Sequence, residues 1–173
     1  IYSLKLKNLL IMSSNLNIKD LKEYYLDCFK DHRGEIYTFW TENNFFENID
    51  FNHDKFTLSY KNVFRGIHGD FESTKYVTCI YGKIFYVFVD NRKDSETYMK
   101  YDIIELSQEK KNAIIFPPGI GSGALTLSDY SVTAYKLSYP DKYPDTDKQF
   151  VLKWNLLDIQ WPIDNMIFSE RDK

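Results

Sequence analysis

The chain has 173 residues, of which 43% are hydrophobic and 17% aromatic, and its formal net charge at pH 7 is −3. This length predicts a single domain with a substantial core, and the slightly acidic balance argues against a nucleic-acid partner. No apolar run approaches the roughly 18 residues that a membrane helix needs, so we expect no membrane partner. The cysteines, Cys28 and Cys79, stand in apolar surroundings, which is typical of buried thiols in the reducing cytoplasm.

Residues 1–17 carry little information about function. The stretch 1–11 is partly apolar, but Lys5 and Lys7 interrupt it. We treat 1–17 as an N-terminal extension, which could add a strand or contact a second subunit, and 18–173 as the functional domain.

Short strand patterns separated by turn residues follow along most of the chain. β-branched and aromatic residues predict the strands, which cover residues 24–29, 35–40, 77–81, 84–89, 98–106, 112–116, 123–127 and 131–138. The dipeptide Gly82-Lys83 predicts a hairpin that joins the strands 77–81 and 84–89. Helix is predicted only from Leu156 onward, with residues 41–49 as a further candidate.

The strand at 84–89 reads Ile-Phe-Tyr-Val-Phe-Val and is apolar on both faces. Such a strand predicts that a second sheet or another subunit covers its outer face. Many short strands with few helices predict an all-β protein, for which we favour a cupin-like double-sheet jelly roll with a short helical C-terminal segment. A cavity between the sheets would be lined by inward-facing strand residues.

The most informative motif is Phe-Arg-Gly-Ile-His at residues 64–68. The imidazole of His68 could remove a proton from a substrate near neutral pH, although a hydrogen-bonded histidine within a strand is the ordinary alternative. Arg65 could hold a phosphate through paired hydrogen bonds, and Gly66 allows close backbone approach.

Three further residues could complete an acid–base set, although none is distinctive by itself. Lys75 could neutralise negative charge that develops on a carbonyl oxygen, but solvated lysines at strand edges are commoner. Tyr135 lies in a predicted strand and could donate a proton, yet most of the fourteen tyrosines must be core residues. Asp172 would ordinarily be read as a solvated residue of the tail.

Other chemistries receive less support. His68, Asp70 and Glu72 could supply metal ligands at alternating positions, but the later turn Gly121-Ser122-Gly123 adds no histidine, so we predict no metal site. No glycine-rich loop with a basic residue precedes a helix, which argues against a nucleotide-binding fold of that type. The surroundings of the cysteines do not support a thiolate nucleophile.

From about Asp20 to Asp172 the chain resembles the dTDP-4-dehydrorhamnose 3,5-epimerase family. The segments that carry the resemblance are Asp31-His32-Arg33-Gly34, Asn62-Val63-Phe64-Arg65-Gly66-Ile67-His68, Lys75-Tyr76-Val77, Gly82-Lys83-Ile84-Phe85, Val87-Phe88-Val89-Asp90-Asn91-Arg92, Pro117-Pro118-Gly119, Leu127-Ser128-Asp129-Tyr130, Tyr135-Lys136, Ile159-Gln160-Trp161-Pro162 and Ser169-Glu170-Arg171-Asp172. So many ordered matches make the resemblance far more specific than any single motif.

The resemblance implies a cupin jelly-roll homodimer that needs no metal or organic cofactor. It implies that His68, supported by Asp172, removes the proton at C3, and in many members also at C5, next to the C4 ketone of a nucleotide-linked sugar. Lys75 would stabilise the enolate oxygen, and Tyr135 would return a proton to the opposite face. The resemblance further implies that two arginines hold the diphosphate, namely Arg33 and Arg65.

Several positions depart from the family pattern. Gly69-Asp70 stands where members usually have Tyr-Gln, and Gly121-Ser122-Gly123-Ala124 stands where they usually have Ala-His-Gly-Phe. Tyr86 replaces an acidic residue of the central strand, and Thr38 replaces a glutamate. The His-Gly-Asp variant resembles members that act on GDP-linked 4-keto-heptoses in capsular polysaccharide assembly, and loss of the second histidine favours inversion at C3 alone.

Three functions therefore compete. The lead hypothesis is an epimerase of a nucleotide-linked 4-keto sugar. A 3,4-ketoisomerase on the same scaffold would pass through a similar enediol, but a complete base and acid pair favours epimerisation. The altered turn at Gly121-Ser122-Gly123 supports a non-catalytic jelly roll that binds sugar nucleotides, whereas the retained acid–base residues argue against it.

Overall fold

A computed structural model describes residues 10–11, 16–41, 49–140 and 146–173. Thirteen strands and one 3-10 turn are assigned within these residues. In chain order they are β1 (Leu10–Ile11), β2 (Lys22–Tyr25), β3 (Cys28–Asp31), β4 (Gly34–Tyr37), β5 (His53–Tyr60), β6 (Phe64–Gly69), β7 (Thr74–Tyr81), β8 (Lys83–Asp90), β9 (Tyr101–Ser107), β10 (Asn112–Phe116), β11 (Ile120–Thr126), β12 (Tyr130–Ser138), the turn η1 (Thr146–Lys148) and β13 (Phe150–Val151).

Two antiparallel sheets face each other and form the predicted double-sheet jelly roll. The six-stranded sheet has the order β1-β2-β10-β7-β12-β5, and the five-stranded sheet has the order β13-β6-β11-β8-β9. Val77 of the first sheet and Phe88 of the second lie in the same fully buried core cluster. Strands β3 and β4 form a separate hairpin. Among the described residues, no helix is long and apolar enough to cross a bilayer.

The predicted N-terminal extension lies mostly outside the described residues. Its one described strand, β1, pairs with β2 and extends the six-stranded sheet. Most of the helix candidate at 41–49 also lies outside the described part of the chain.

The outer face of β8 is covered by the chain's own C-terminal segment, defined here as residues 150–173. The inward side chains of β8 reach the core between the sheets, whereas Val87 and Val89 pack outward into a second cluster. That cluster contains apolar side chains of the C-terminal segment, namely Leu152, Trp154, Leu157, Ile159, Trp161, Ile163, Met166 and Phe168. The prediction that the outer face of this strand is covered is confirmed, but the C-terminal segment covers it, and neither a second sheet nor a second subunit is needed there.

The predicted helix from Leu156 onward is wrong, because this segment is irregular apart from turns and one bridge. Its apolar residues recur mostly every two positions, which does not match the period of a helix. Pro162 also removes a backbone donor within the stretch. The segment is held instead by backbone bonds: Ile167 donates to Asn62 O at 2.8 Å and accepts from Phe64 N at 2.9 Å.

The predicted hairpin at Gly82-Lys83 is also wrong. Strand β7 pairs with β10 and β12, whereas β8 pairs with β9 and β11, so the chain passes from one sheet to the other at Gly82. Gly82 has a φ of 78°, and an added Cβ would lie 2.4 Å from Tyr130 O. The glycine is required by the corner between the sheets, which a local pattern cannot distinguish from a hairpin turn.

The strand predicted at 24–29 is divided in two. Strand β2 ends at Tyr25 and belongs to the six-stranded sheet, whereas Cys28 begins the separate hairpin. Leu26 lies between them, 6% exposed, and its amide donates to Lys111 O at 2.8 Å. Both cysteines are free thiols, but only Cys79 is buried as predicted, and burial raises its pKa to about 12.

Candidate active site

The candidate site is a cleft of about 410 Å³. Strands of both sheets line it together with the C-terminal segment and Gln149 just before it. The lining residues are Lys55, Thr57, Arg65, His68, Lys75, Tyr86, Ser122, Ala124, Tyr135, Gln149, Ser169, Arg171 and Asp172. Five of the six residues predicted from the sequence therefore meet in one cleft, and the exception is Arg33.

A bulge in β6 directs Arg65 and His68 into the same cleft. In a regular strand, residues three positions apart point to opposite faces. Here Arg65 pairs with Ala124 and His68 pairs with Ser122, so β6 has one residue more than β11 between these pairs. Bulges of this kind redirect side chains, and this one brings a cation and an imidazole together.

Gly66 makes the bulge possible, because its φ is 143° and an added Cβ would lie 2.3 Å from the Gly123 Cα. We expect Gly66→Ala to lower the free energy of unfolding by about 3 kcal/mol or more, since backbone cannot move aside as a flexible side chain can. Gly34→Ala is the matched control, because Gly34 has a φ of 134° but nothing within 4 Å of the added Cβ. Equal loss of stability in both variants, measured by urea unfolding, would contradict the close-packing argument.

His68 is bound by Asp172, which lies 104 positions away in the chain. The His68 Nε2 is 2.6 Å from Asp172 Oδ1, and Ser169 Oγ donates to Asp172 Oδ2 at 2.9 Å. Since a carboxylate only accepts hydrogen bonds, the proton of a neutral His68 sits on Nε2 and the lone pair on Nδ1. This arrangement gives a base whose conjugate acid is stabilised by a buried carboxylate that is 6% exposed.

The pKa of His68 is lowered from 6.5, chiefly because burial disfavours the imidazolium. Asp172 opposes this by attraction and a hydrogen bond, whereas the cations Arg171 and Lys75 reinforce the lowering. The net result keeps His68 neutral at pH 7, which is the protonation state that a base requires.

This lowered pKa predicts a pH dependence. For any reaction in which His68 acts as the base, we expect kcat/KM to be flat at neutral pH and to fall only below pH 6.5, as His68 becomes protonated. The free energy of unfolding changes with pH in the same direction. The unfolded chain binds the proton more tightly than the folded protein does, so the stabilising contribution of His68 is complete above pH 6.5 and is lost as the pH falls below that value. Titration of the His68 Cε1 proton by NMR checks both; a midpoint above 6.5 would contradict the burial argument.

Lys75 and Tyr135 reach the cleft from β7 and β12. The Lys75 ammonium has 12% exposure and lies 2.9 Å from Asp70 Oδ2. Tyr135 is half-buried, and the Lys55 Nζ stands 4.8 Å from the centroid of its ring. A cation in this position would stabilise a phenolate if Tyr135 served as a proton donor.

The cleft is strongly cationic although the whole chain is acidic. Its lining includes Lys55, Arg65, Lys75 and Arg171, against the single carboxylate of Asp172. Neither Lys55 nor Arg171 was assigned a role from the sequence. The sequence gives no usable signal for Lys55: its alternation with the apolar Phe56 along β5 would predict that Lys55 faces solvent, whereas the structure exposes Phe56 and turns Lys55 into the cleft.

The two cleft arginines are held by neutral partners. Arg65 Nε donates to Ser59 Oγ at 2.9 Å, and Arg171 Nη2 donates to Gln149 Oε1 at 3.0 Å. Neither of these bonds cancels the positive charge, so both guanidinium groups can attract an anionic ligand.

Arg33 lies outside this cleft. It occupies the turn between β3 and β4, where it is exposed and pairs with Asp31 at 2.5 Å. The three residues weighed as metal ligands also separate, because His68 contacts Asp172, Asp70 contacts Lys75 and Glu72 accepts from Tyr139.

A sequence model of the family described as dTDP-4-dehydrorhamnose 3,5-epimerase matches residues 15–173. The chain belongs to the dTDP-4-dehydrorhamnose 3,5-epimerase family. The family's enzyme from Salmonella typhimurium is 32% identical to it over 147 residues, which cover 80% of this chain and 79% of the relative.

Solved structures of the epimerase family share the fold closely. The dTDP-6-deoxy-D-glucose-3,5-epimerase of Legionella pneumophila, in complex with dTDP-4-keto-L-rhamnose, has a TM-score of 0.87 at 28% identity and covers 95% of this chain and 90% of its own. ChmJ from Streptomyces bikiniensis, a 3'-monoepimerase in complex with dTDP-quinovose, has a TM-score of 0.83 at 25% identity, covering 91% and 83%. Proteins with this fold thus include one named as a 3,5-epimerase and one named as a monoepimerase.

Proposed function

We propose that this chain inverts C3 of a nucleotide-linked 4-keto sugar by removing and returning the proton next to the C4 ketone. The observation that carries the proposal is the meeting of His68, Lys75 and Tyr135 in one cationic cleft. A carbon acid beside a ketone needs a base, a group that stabilises the enolate oxygen and an acid on the other face. Arg65 and Arg171 provide positive charge for the diphosphate.

In the proposed reaction, His68 takes the C3 proton, and the electron pair of the broken C–H bond moves towards the C4 oxygen. The Lys75 ammonium stabilises the resulting enolate, while Asp172 stabilises the imidazolium. Tyr135 then donates its proton to the opposite face of C3, and the C4 ketone forms again. Transfer of a proton from the imidazolium to the phenolate through solvent restores both groups, so each side chain can carry solvent hydrogen to the sugar.

The departures from the family pattern support a substrate other than the usual dTDP-linked deoxyhexose. We infer a GDP-linked 4-keto-heptose and a role in surface polysaccharide biosynthesis from the His68-Gly69-Asp70 variant. Tyr86 and Ser122 both line the cleft, and the Tyr86 hydroxyl donates to Ser122 Oγ at 3.3 Å. This neutral pair replaces the acidic residue and second histidine usual in the family, which supports inversion at C3 alone.

Proton NMR in deuterated water tests the proposal with a GDP-linked 4-keto-heptose and, in parallel, a dTDP-linked 4-keto-6-deoxyhexose. Deuterium that enters C3 alone, with the inverted coupling pattern, is the expected result for the heptose. Entry at C3 and C5 would instead establish a two-centre epimerase. Migration of the carbonyl to C3 would establish the ketoisomerase. If neither sugar exchanged deuterium above a protein-free control, the non-catalytic jelly roll that binds sugar nucleotides would be favoured.

We also propose a homodimer, in which Arg33 serves the cleft of the second subunit. The outer face of β5, an edge strand, exposes Phe56, Leu58 and Tyr60 to 65%, 52% and 70%, and apolar surfaces of this kind commonly bind a partner. A dimer that shares Arg33 would explain why this arginine resembles a diphosphate ligand yet lies outside its own cleft.

Subunit mixing tests that arrangement. Arg33→Ala and His68→Asn dimers are each expected to be weakly active, but a mixed dimer contains one site with both His68 and the partner's Arg33. Random exchange of subunits in an equal mixture makes half of the dimers mixed, and each mixed dimer has one complete site of two, so roughly a quarter of the wild-type activity should return. Activity that stays at the mean of the two parents would contradict the shared site, and elution of the wild type as a monomer would contradict the dimer.

A further inference from the structure

Asp70 is a buried carboxylate that directly contacts a residue of the cleft without lining the cleft itself. It is 2% exposed, and its Oδ2 lies 2.9 Å from Lys75 Nζ. The same oxygen accepts a hydrogen bond from Ser73 Oγ at 2.5 Å, while Oδ1 accepts from the amides of Ser73 and Glu72 at 2.6 and 3.0 Å. Four donors therefore surround this side chain.

The backbone around Asp70 is fixed equally firmly. Gly69 ends β6 where an added Cβ would meet Ile120 O at 2.7 Å, so only glycine permits this approach. The carbonyl of Asp70 accepts from Gly119 N at 2.7 Å. The tight turn that follows leads into β7, on which Lys75 is the second residue. Neither the carboxylate nor its main chain can move far without breaking several hydrogen bonds.

Lys75 needs such an anchor because its surroundings repel a cation. The cleft also holds Lys55, Arg65 and Arg171, and a long lysine side chain has several rotamers available. The Phe116 ring, 5.9 Å from the Lys75 Nζ, restricts the ammonium on another side. Asp70 is the one carboxylate that the structure pairs with Lys75 among the described residues.

We propose that Asp70 is a positioning residue, which holds the Lys75 ammonium at the place where the enolate oxygen forms. The inference rests on the epimerase function proposed above and adds a residue to it. Asp70 does not touch the substrate; it acts through Lys75. Displacement of a catalytic group by about 1 Å can cost around 100-fold in rate, so a rigid anchor for a flexible lysine has a large effect.

The protonation state of Asp70 is consistent with this role. Burial alone would raise its pKa, but the Lys75 ammonium and the Ser73 hydrogen bonds outweigh burial, and the pKa lies below 3.8. Asp70 therefore remains a carboxylate throughout the range in which His68 acts as a base.

Asp70→Asn is the decisive variant, because asparagine retains Oδ1 for the two backbone amides and removes the charge that faces Lys75. We expect kcat for C3 inversion to fall about 10- to 100-fold while KM changes less than about twofold, since the loss concerns the transition state. Ser73→Ala is the matched control: it removes one donor to Asp70 but preserves the ion pair, and its kcat should stay within about twofold of the wild type.

A double variant separates positioning from a general loss of structure. In a Lys75→Met background, Asp70→Asn should slow C3 deuterium exchange no further, because its partner is already absent. This comparison remains informative if Asp70→Asn alone does not fold, because the double variant leaves no unpaired buried charge and a further loss of exchange within the Lys75→Met background would by itself overturn the positioning role. An equal loss of exchange in both backgrounds would overturn the positioning role.

The outcomes distinguish the two proposals. An active wild type with an Asp70→Asn variant of unchanged kcat would overturn the role of Asp70 and leave the epimerase intact. A fall in kcat for Ser73→Ala equal to that for Asp70→Asn would assign the effect to the turn, not to the ion pair. A wild type that exchanges no deuterium with either sugar would overturn the epimerase, and the role of Asp70 with it.

Discussion

Asparagine in place of His68 is expected to reduce C3 proton exchange by at least about 1,000-fold, which is the upper range for loss of a general base. Asparagine preserves the size and polarity of the side chain but cannot take a proton at neutral pH. Ser169 is the other described cleft residue that contacts Asp172, and its hydroxyl is far too weak a base to replace the imidazole at neutral pH. The measurement is deuterium entry at C3 by NMR over several days, with thermal unfolding to verify the fold.

Asp172→Asn provides the comparison for this variant. It leaves the imidazole in place but removes the carboxylate that stabilises the imidazolium and raises the pKa of His68. Its exchange rate should lie between those of the wild type and His68→Asn, with the acidic limb of the pH profile displaced to lower pH. A His68→Asn variant that exchanged C3 as fast as Asp172→Asn would indicate that His68 is not the base.

Phenylalanine in place of Tyr135 should separate exchange from inversion. His68 can still remove and return the C3 proton on one face, so deuterium enters C3 without a change of configuration. Formation of the epimer should fall by about 100-fold or more, because the opposite face has lost its proton donor. Coupling constants at C3 report configuration and integrated intensity reports exchange, so one NMR series measures both.

Lys55→Met is the control for the tyrosine variant. The Lys55 ammonium stands beside the Tyr135 ring, so its removal should slow inversion more than exchange, but by less than loss of the hydroxyl itself. If Tyr135→Phe formed the epimer at the wild-type rate, another residue would have to donate the proton, and Tyr135 would have no catalytic role.

The sequence predicted the sheets better than their connections. Strands such as 112–116 were found because apolar β-formers between turn residues are a local signal, and here the structure gives the same bounds for β10. The corner at Gly82 was misread because a glycine turn within a hairpin and one between sheets look alike locally. The irregular segment after Leu156 was misread because its order comes from contacts with β8 and β6, not from its own periodicity.

In the candidate site, too, the sequence revealed residues with a local signal but not those that depend on distant contacts. His68 and Arg65 stood out by themselves, but only the family resemblance directed attention to Asp172, since nothing near it in sequence indicates a partner 104 positions away. The bulge at Gly66 and the anchoring of Lys75 by Asp70 depend on strand register and a tight turn. Neither feature follows from residue types alone, although Gly66, Asp70 and Lys75 were all noted in the sequence.

The C-terminal segment has a consequence for how the protein loses activity. It joins the sheets through a two-residue strand and a few isolated bonds, yet it both covers β8 and supplies Asp172. Local opening is costly where many buried apolar contacts must break, and detaching this segment would expose its tryptophans together with Val87 and Val89 of β8. Warming should therefore separate the carboxylate from His68 only as the jelly roll itself melts, so that activity and fold are lost over the same range of temperature.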